Sequence, residues 1–79
     1  MQYDHHHMGK VIRELRKQRR KSQEVISGLA GIDRTHLAKI EMGQHSANVE
    51  TLWKIAAAFD MPLSELFRLL EEAMRETEE

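Results

Sequence analysis

The stretch SQEVISGLAGIDRTHLAKIEMG, residues 22–43, decides the fold, because it holds two short helical segments with a glycine between them. Ser22 is a residue type that caps the start of a helix, and Gly31 can take the left-handed conformation that ends one. A helix, the second of the chain, is therefore predicted to cover residues 23–30. The turn that follows is too short to let the two helices lie independently of each other.

The next helix, the third of the chain, is predicted over residues 34–42, with Asp33 as its cap and Gly43 as its stop. Leu37 and Ile40 share one side of this helix and predict a face turned toward a core. The opposite side carries arginine, threonine and lysine. Packing in the core does not require these polar side chains, so the face that carries them is a candidate surface for binding a partner.

Three more helices are predicted from apolar residues that recur at helical spacing. One covers residues 8–20, one covers residues 49–59 after Asn48 as a cap, and the last has Pro62 in its first turn. The apolar stripes of the last two are Val49, Leu52, Ile55, Ala56 and Phe59, and Leu63, Leu66, Phe67, Leu70 and Met74. No stretch alternates like a β-strand, so the predicted fold is all-α, a compact five-helix bundle.

A chain of 79 residues forms one small domain, which we assign to residues 8–77. It has no cysteine, which excludes disulfides and thiolate metal sites, so its stability must come from packed helices or from oligomerisation. The longest apolar run, residues 55–59, is far too short to span a bilayer, and no apolar signal segment follows the start. We therefore expect a cytoplasmic protein with no membrane partner.

The N-terminal segment MQYDHHH, residues 1–7, lacks helical periodicity and is expected to be a disordered arm or a tag remnant. Three adjacent histidines can bind a metal ion, but neighbours in sequence rarely converge on one ion without a fold around them. We predict no functional metal site here, and no cofactor.

Charge is distributed unevenly along the chain. Residues 10–54 carry ten Lys and Arg against five Asp and Glu, whereas residues 55–79 carry two against seven. A basic body with an acidic tail indicates a surface that binds a polyanion and a second surface that avoids it. Two ordinary solvated faces would give the same split.

Residues 22–43 resemble the phage-repressor-type helix-turn-helix family, also called the Xre family of bacterial regulators. The likeness extends from Gly9 to Phe67 and includes Leu15-Arg16 and the later stretch ETLWKIAAAFDMPLSELF. The residues in the family's register are Gln23, Ile26, Ser27, Ala30, Gly31, Ile32, Leu37, Ile40, Glu41 and Gly43. The resemblance implies a lambda-repressor-like domain that binds double-stranded DNA as a transcriptional regulator, a repressor or autoregulator with a pseudo-palindromic operator.

The polar face of the third helix has the chemistry of a base-reading surface. Arg34 has a planar fork that can bond guanine O6 and N7 together, and Thr35 can contact a base, a phosphate or the thymine methyl group. Lys39 lies one turn further on and can reach a base or a phosphate. His36 lies at the margin of this face and is expected to pack or to contact the DNA backbone. The predicted base readers are Arg34, Thr35 and Lys39.

Phosphate contacts are expected from residues that flank the two central helices. The unpaired amides at the start of the second helix form an anion site to which Gln23 adds a side-chain donor. Cationic residues precede that helix directly, and polar residues precede the fourth. The predicted backbone contacts are Gln23, Arg19, Arg20, Lys21, Ser46 and Asn48.

Two further pairings concern the architecture. Arg16 and Glu41 are predicted to form a partly buried ion pair, because the resemblance aligns them and Glu41 lies on the inward side of its helix, where a carboxylate needs a partner. The fifth helix is predicted to form a homodimer interface through apolar residues that continue onto its flank. These are Leu66, Leu69 and Ala73.

The sequence offers little support for catalysis. The chain has no cysteine nucleophile, no glycine-rich phosphate loop and no HExxH spacing, so it is not expected to be an enzyme. Within the resemblance, controllers of restriction–modification genes and antitoxins are both small members, and residues 31–41 look closer to the controllers. The alternative is a protein-interaction module of the same fold that docks a partner and binds DNA weakly.

Overall fold

The computed structural model describes residues 1–78, the side chain of Glu78 excepted, and contains five helices and no strand within that range. The helices are α1 (His5–Gln18), α2 (Gln23–Ala30), α3 (Arg34–Glu41), α4 (Val49–Ala58) and α5 (Leu63–Glu78). The all-α prediction is therefore confirmed. None of these helices is long and apolar enough to cross a membrane.

One core joins all five helices. α1 packs on α3 and α5, α2 packs on α3 and α4, and α4 packs on α5. The buried apolar residues are Met8, Ile12, Leu15, Ile26, Ala30, Leu37, Ile40, Leu52, Ile55, Ala56, Phe59, Leu66, Leu70 and Met74. Because each helix contributes only one stripe to this core, its opposite side is left to solvent or to a partner.

α1 begins earlier than predicted. Asp4 caps it, with Oδ1 accepting the His6 backbone amide at 2.9 Å and Oδ2 accepting from the His7 ring at 2.8 Å. The His7 hydrogen bond contributes most to lowering the pKa of the Asp4 carboxyl to about 2. The predicted start at Met8, and the expectation that residues 1–7 lack fixed structure, are corrected for residues 4–7. The cause is a capping aspartate that apolar periodicity does not reveal.

The helices α1 to α4 end in the same kind of hydrogen-bonded turn, in which one residue takes the left-handed conformation. These residues are Arg20 (φ 54°), Gly31 (φ 71°), Gly43 (φ 76°) and Asp60 (φ 62°). The two glycines were predicted as helix stops and are confirmed. Arg20 and Asp60 were not, because a side chain in this conformation is unfavourable and only the surrounding packing makes it tolerable. Met42 and Phe59 are C-caps instead of final helical residues.

Two predicted local contacts differ from the structure. Asp33 occupies the cap position of α3, but its side chain makes no capping hydrogen bond. Val49 was assigned to the core stripe of α4, yet it is 62% exposed, because it lies in the first turn of the helix, at the edge of the core. Ser22 and Asn48 do cap α2 and α4, at 3.1 and 2.8 Å.

Gly9 allows α1 and α3 to approach more closely than a side chain would permit. A Cβ atom at this position would lie 2.2 Å from the carbonyl oxygen of Ile40 and 2.9 Å from that of Glu41. Both neighbours are backbone atoms, which cannot move aside cheaply. Gly28 is the opposite case, because it is exposed in α2 and a Cβ there would meet nothing within 4 Å.

We expect opposite effects from the same substitution at these two glycines. Gly28→Ala should raise the free energy of unfolding by about 0.5–1 kcal/mol, because alanine costs less backbone entropy in a helix. Gly9→Ala should lower it by about 1–3 kcal/mol, because it overpacks the α1–α3 contact. Chemical denaturation of both variants measures this. Equal shifts of the same sign would contradict the close approach of α1 to α3.

Candidate nucleic-acid interface

The turn between α2 and α3 holds the two helices at a fixed angle. The amide of Ile32 donates to the carbonyl of Ser27 at 3.0 Å, across the left-handed Gly31. Ser27 is itself buried, and its hydroxyl donates to the carbonyl of Glu24 at 3.1 Å. A small residue is needed there because α2 and α3 pack closely. These contacts position α3, and the buried Ser27 is not available to a ligand.

The exposed face of α3 has the composition that the sequence predicts. Leu37 and Ile40 are completely enclosed, at 0% and 1% exposure, whereas Arg34 and Thr35 are exposed in the first turn. Lys39 is only half-buried, in the last turn. The first turn of α3 therefore presents its side chains freely, while the last turn is partly covered.

The Arg16–Glu41 pair is present and joins α1 to the end of α3. Nε and Nη2 of Arg16 donate to the two carboxylate oxygens of Glu41 at 2.8 and 2.9 Å. The side chains are 14% and 2% exposed. Accordingly, the hydrogen bonds to Glu41 raise the pKa of the Arg16 guanidinium, against the opposing effect of burial.

Gln23 donates a hydrogen bond to the same carboxylate. Its Nε2 donates to Oε1 of Glu41 at 3.1 Å, so its side chain ties the first turn of α2 to the end of α3. From the sequence, this side-chain amide was predicted to donate to a DNA phosphate. The first backbone amides of α2 have no partner inside the helix, apart from Val25, whose amide Ser22 accepts. A phosphate at this helix start would therefore meet backbone amides, with the Gln23 side chain held away from it by Glu41.

The three basic residues before α2 have different environments. Arg19 Nη1 donates to the carbonyl of Phe59 at the end of α4, and its guanidinium lies 5.6 Å from the centre of the Phe59 ring. This contact satisfies a carbonyl at a helix end and competes with the predicted phosphate contact. Arg20 and Lys21 are exposed. The free cationic side chains beside α2 are therefore these two.

The predicted phosphate ligands before α4 are both exposed. Asn48 uses its side-chain oxygen to accept the amide of Thr51 at 2.8 Å. Its NH₂ group is chemically distinct from that oxygen and keeps its capacity to donate. Ser46 lies in the loop between α3 and α4, where its hydroxyl can also donate.

The predicted dimer surface is corrected at one position. Leu66 is 0% exposed and belongs wholly to the core of its own chain, because it lies at the centre of the inward stripe of α5. Leu69 and Ala73 are half-buried and line a groove of about 450 Å³ between α1 and α5, with Val11 on the opposite wall. The prediction from the sequence identified the flank of α5 at Leu69 and Ala73 but wrongly included Leu66, which belongs to the core stripe.

One contact beside the exposed face of α3 could not be predicted from the sequence. The rings of His36 in α3 and His45 in the following loop lie against each other, with their Nδ1 atoms 3.1 Å apart. They are separated by eight residues, so no spacing rule of the helix identifies them. Only the turn at Gly43 brings the two together.

The chain has clear similarities to known proteins. The model of the helix-turn-helix family HTH_3 matches residues 12–66. The control protein C.MunI of Mycoplasma sp is 36% identical over 64 residues, which cover 80% of this chain and 86% of that protein. The crystal structure of the restriction-modification controller protein C.AhdI from Aeromonas hydrophila matches with a TM-score of 0.77 at 36% identity, over 81% of this chain and 97% of that one.

A third relative is much longer. The HTH-type transcriptional regulator SutR of Escherichia coli (strain K12) is 35% identical over 54 residues, which cover 68% of this chain. The chain spans 30% of the length of that regulator.

We expect the loss of one partner of the Arg16–Glu41 contact to destabilise the protein strongly. Glu41→Ala should lower the free energy of unfolding by about 3 kcal/mol, because it leaves the Arg16 guanidinium largely enclosed without its carboxylate. Chemical denaturation with far-UV circular dichroism measures the loss. Glu65→Ala is the control, since Glu65 forms an exposed pair with Arg68 and its removal should cause no measurable change. Equal stability of the two variants would show that the buried pair is not important.

Proposed function

Because this chain belongs to the helix-turn-helix family HTH_3, we propose that it is a sequence-specific DNA-binding transcriptional regulator that reads its operator with α3. The observation that carries this proposal is the division of α3 into two sides. Leu37 and Ile40 are enclosed, while Arg34 and Thr35 are exposed together in the first turn. A helix anchored in this way can enter the major groove with its N-terminal residues foremost. The protein is not an enzyme and acts in the cytoplasm, where its operator lies.

Base recognition is assigned to the first turn of α3. Arg34 would bond O6 and N7 of a guanine with two parallel hydrogen bonds, and Thr35 would contact the neighbouring base or its phosphate. Lys39 is half-buried at the other end of the helix, so it is better placed for a phosphate or a peripheral base. Specificity would therefore rest mainly on Arg34 and Thr35.

Backbone binding is assigned to the start of α2 and the loop before α4. Free amides at the start of α2 would hold one phosphate, and the exposed Arg20 and Lys21 would add charge beside it. Ser46 and Asn48 would donate to a second phosphate. Gln23 and Arg19 are left out of the direct contacts, since both bond within the protein.

The uneven charge of the chain agrees with this orientation. The acidic residues accumulate on α5, which packs on α1 and α4. Several of them pair with arginines of the same helix, as Arg68 does with Glu65 and Glu72. An acidic α5 would be repelled by DNA and would thus favour docking through α2 and α3.

Within the family we propose a controller-type repressor or autoregulator that acts as a homodimer. Support comes from C.MunI, which this chain covers almost to its full length, and which is named a control protein. The groove lined by Val11, Leu69 and Ala73 would lie at the contact between the two copies. Two α3 helices related by a two-fold axis would then read half-sites about 10 bp apart.

Selection from a random-sequence DNA library tests the function directly. We expect enrichment of one pseudo-palindromic motif whose half-sites each contain a guanine at a fixed position. Failure to enrich any motif, even at low salt, would contradict the regulator and favour a domain of the same fold that docks a partner protein.

Substitution of Arg34 should separate base reading from phosphate binding. Arg34→Ala should cost about 1–3 kcal/mol for the matched site and relax the preference at one base pair. Lys21→Ala should weaken matched and scrambled sites alike and flatten the salt dependence, because a phosphate contact carries no base information. Titration of both sites at several salt concentrations measures the two effects. Parallel behaviour of the two variants would make Arg34 a backbone contact only.

The dimer surface can be tested by a charge in the groove. Leu69→Glu should convert the dimer to a monomer, because it places a carboxylate among the apolar residues of the groove, Val11 and Ala73. Leu29→Glu is the matched control, since Leu29 is 66% exposed on α2 and its change should leave the dimer intact. Sedimentation velocity at micromolar concentration measures both. A wild-type protein that sediments as a monomer would overturn this assignment.

A further inference from the structure

The rings of His36, in the first turn of α3, and of His45, in the loop after α3, lie in an arrangement that packing does not require. His36 is half-buried and His45 is exposed, and their Nδ1 atoms face each other at 3.1 Å. The ring centres are 5.3 Å apart and the ring planes are inclined by 50°. The rings are thus not stacked face to face. Instead, they meet through their Nδ1 atoms.

The backbone sets this convergence. After α3 the chain reverses at Gly43, whose φ of 76° is left-handed. The amides of Gln44 and His45 then both donate to the carbonyl of Lys39, at 2.9 and 3.3 Å. His45 is held in this way over the same helix that carries His36. The pair is therefore a product of the helix end and not a chance meeting of two long side chains.

At 3.1 Å one nitrogen donates its hydrogen to the lone pair of the other. When the two side chains turn so that both lone pairs point to one side of the line between the nitrogens, a metal ion fits in place of that hydrogen. An ion at the usual distance of about 2.05 Å from both nitrogens would subtend an N–metal–N angle of roughly 100° at this separation. That angle lies between the values of square-planar and tetrahedral coordination.

We propose that His36 and His45 form a two-histidine site for a late first-row divalent ion, of the class of Cu²⁺, Ni²⁺ and Zn²⁺. Imidazole nitrogen suits these ions, whereas Mg²⁺ and Ca²⁺ select oxygen ligands. Among the residues that the structure describes, no group of three or more His, Cys, Asp or Glu side chains surrounds a common point. The ion would therefore keep water in its remaining positions.

This site would add charge beside the surface assigned to DNA. His36 lies directly after Thr35, so a bound ion would place two positive charges and exchangeable water ligands at the margin of α3. A phosphate oxygen or a base nitrogen could replace one of those waters. This consequence rests on the proposed function, but binding of the ion does not.

The N-terminal histidines are the main competitor for such ions. The His5 and His6 rings lie 4.3 Å apart at the start of α1, and His6 packs near Gly43. The double variant His5→Ala/His6→Ala is therefore the matched control. Alanine is a good helix former, so α1 should still begin at this point.

Isothermal titration of the protein with Cu²⁺ and with Zn²⁺, in the absence of DNA, tests the site. We expect one binding event that weakens by roughly tenfold or more in His36→Ala and in His45→Ala, and that persists in His5→Ala/His6→Ala. Circular dichroism checks the fold of each variant, and His36→Gln replaces His36→Ala if that variant unfolds. Loss of binding only in the N-terminal variant, or no binding by the wild type, would overturn the proposal.

A second titration connects the site to DNA. Zn²⁺ should change the affinity of the wild type for its selected site and leave that of His45→Ala unchanged. If the ion binds but the protein selects no DNA motif, the metal site stands and the proposed function fails. If a motif is selected but no ion binds, the reverse holds.

Discussion

The buried carboxylate of Glu41 is the contact on which the arrangement of this protein depends. It accepts two hydrogen bonds from Arg16 of α1 and one from Gln23 of α2, while belonging to α3. Three helices therefore meet at one charge. A carboxylate that is 2% exposed is tolerated only when its partners are in place, so the contact specifies one arrangement of these helices. Its value lies in geometry more than in net stabilisation.

The anchoring of α3 leaves little freedom elsewhere in the helix. At eight residues it has barely two turns, and it would be marginal in isolation. Leu37 and Ile40 hold one side in the core, Gly9 lets α1 come close behind it, and Glu41 fixes its end. A chain of this size without disulfides has a small core, so it stays folded only if each helix is well packed. The same constraints that stabilise α3 also determine which of its side chains are exposed.

The sequence predicted those features that arise from neighbouring residues. Helical spacing, the caps Ser22 and Asn48 and the stop at Gly31 are local signals, and the structure agrees with them. The pairing of Arg16 with Glu41 required a family resemblance, because their distance in sequence carries no signal of its own. Features set by distant contacts were missed or misassigned. Leu66 was assigned to a surface, since periodicity identifies a stripe but not the depth of each residue in it.

The His36–His45 contact is a feature that cannot be predicted from the spacing of residues in the sequence. Two residues on one helix can be matched by counting, but a helix residue and a loop residue meet only through the conformation of the turn between them. Here that turn depends on a left-handed Gly43 and on two amides that return to one carbonyl of α3. The turn ends the helix, and by ending it places His45 over the surface that the helix presents. The two ends of α3 are thus chemically distinct: the last turn is bound to the protein through Glu41, whereas the first turn offers Arg34 and Thr35 to a partner and carries His36 of the nitrogen pair. A substitution that alters Arg34 or Thr35 can therefore change what is recognised without disturbing the contacts that hold the helix.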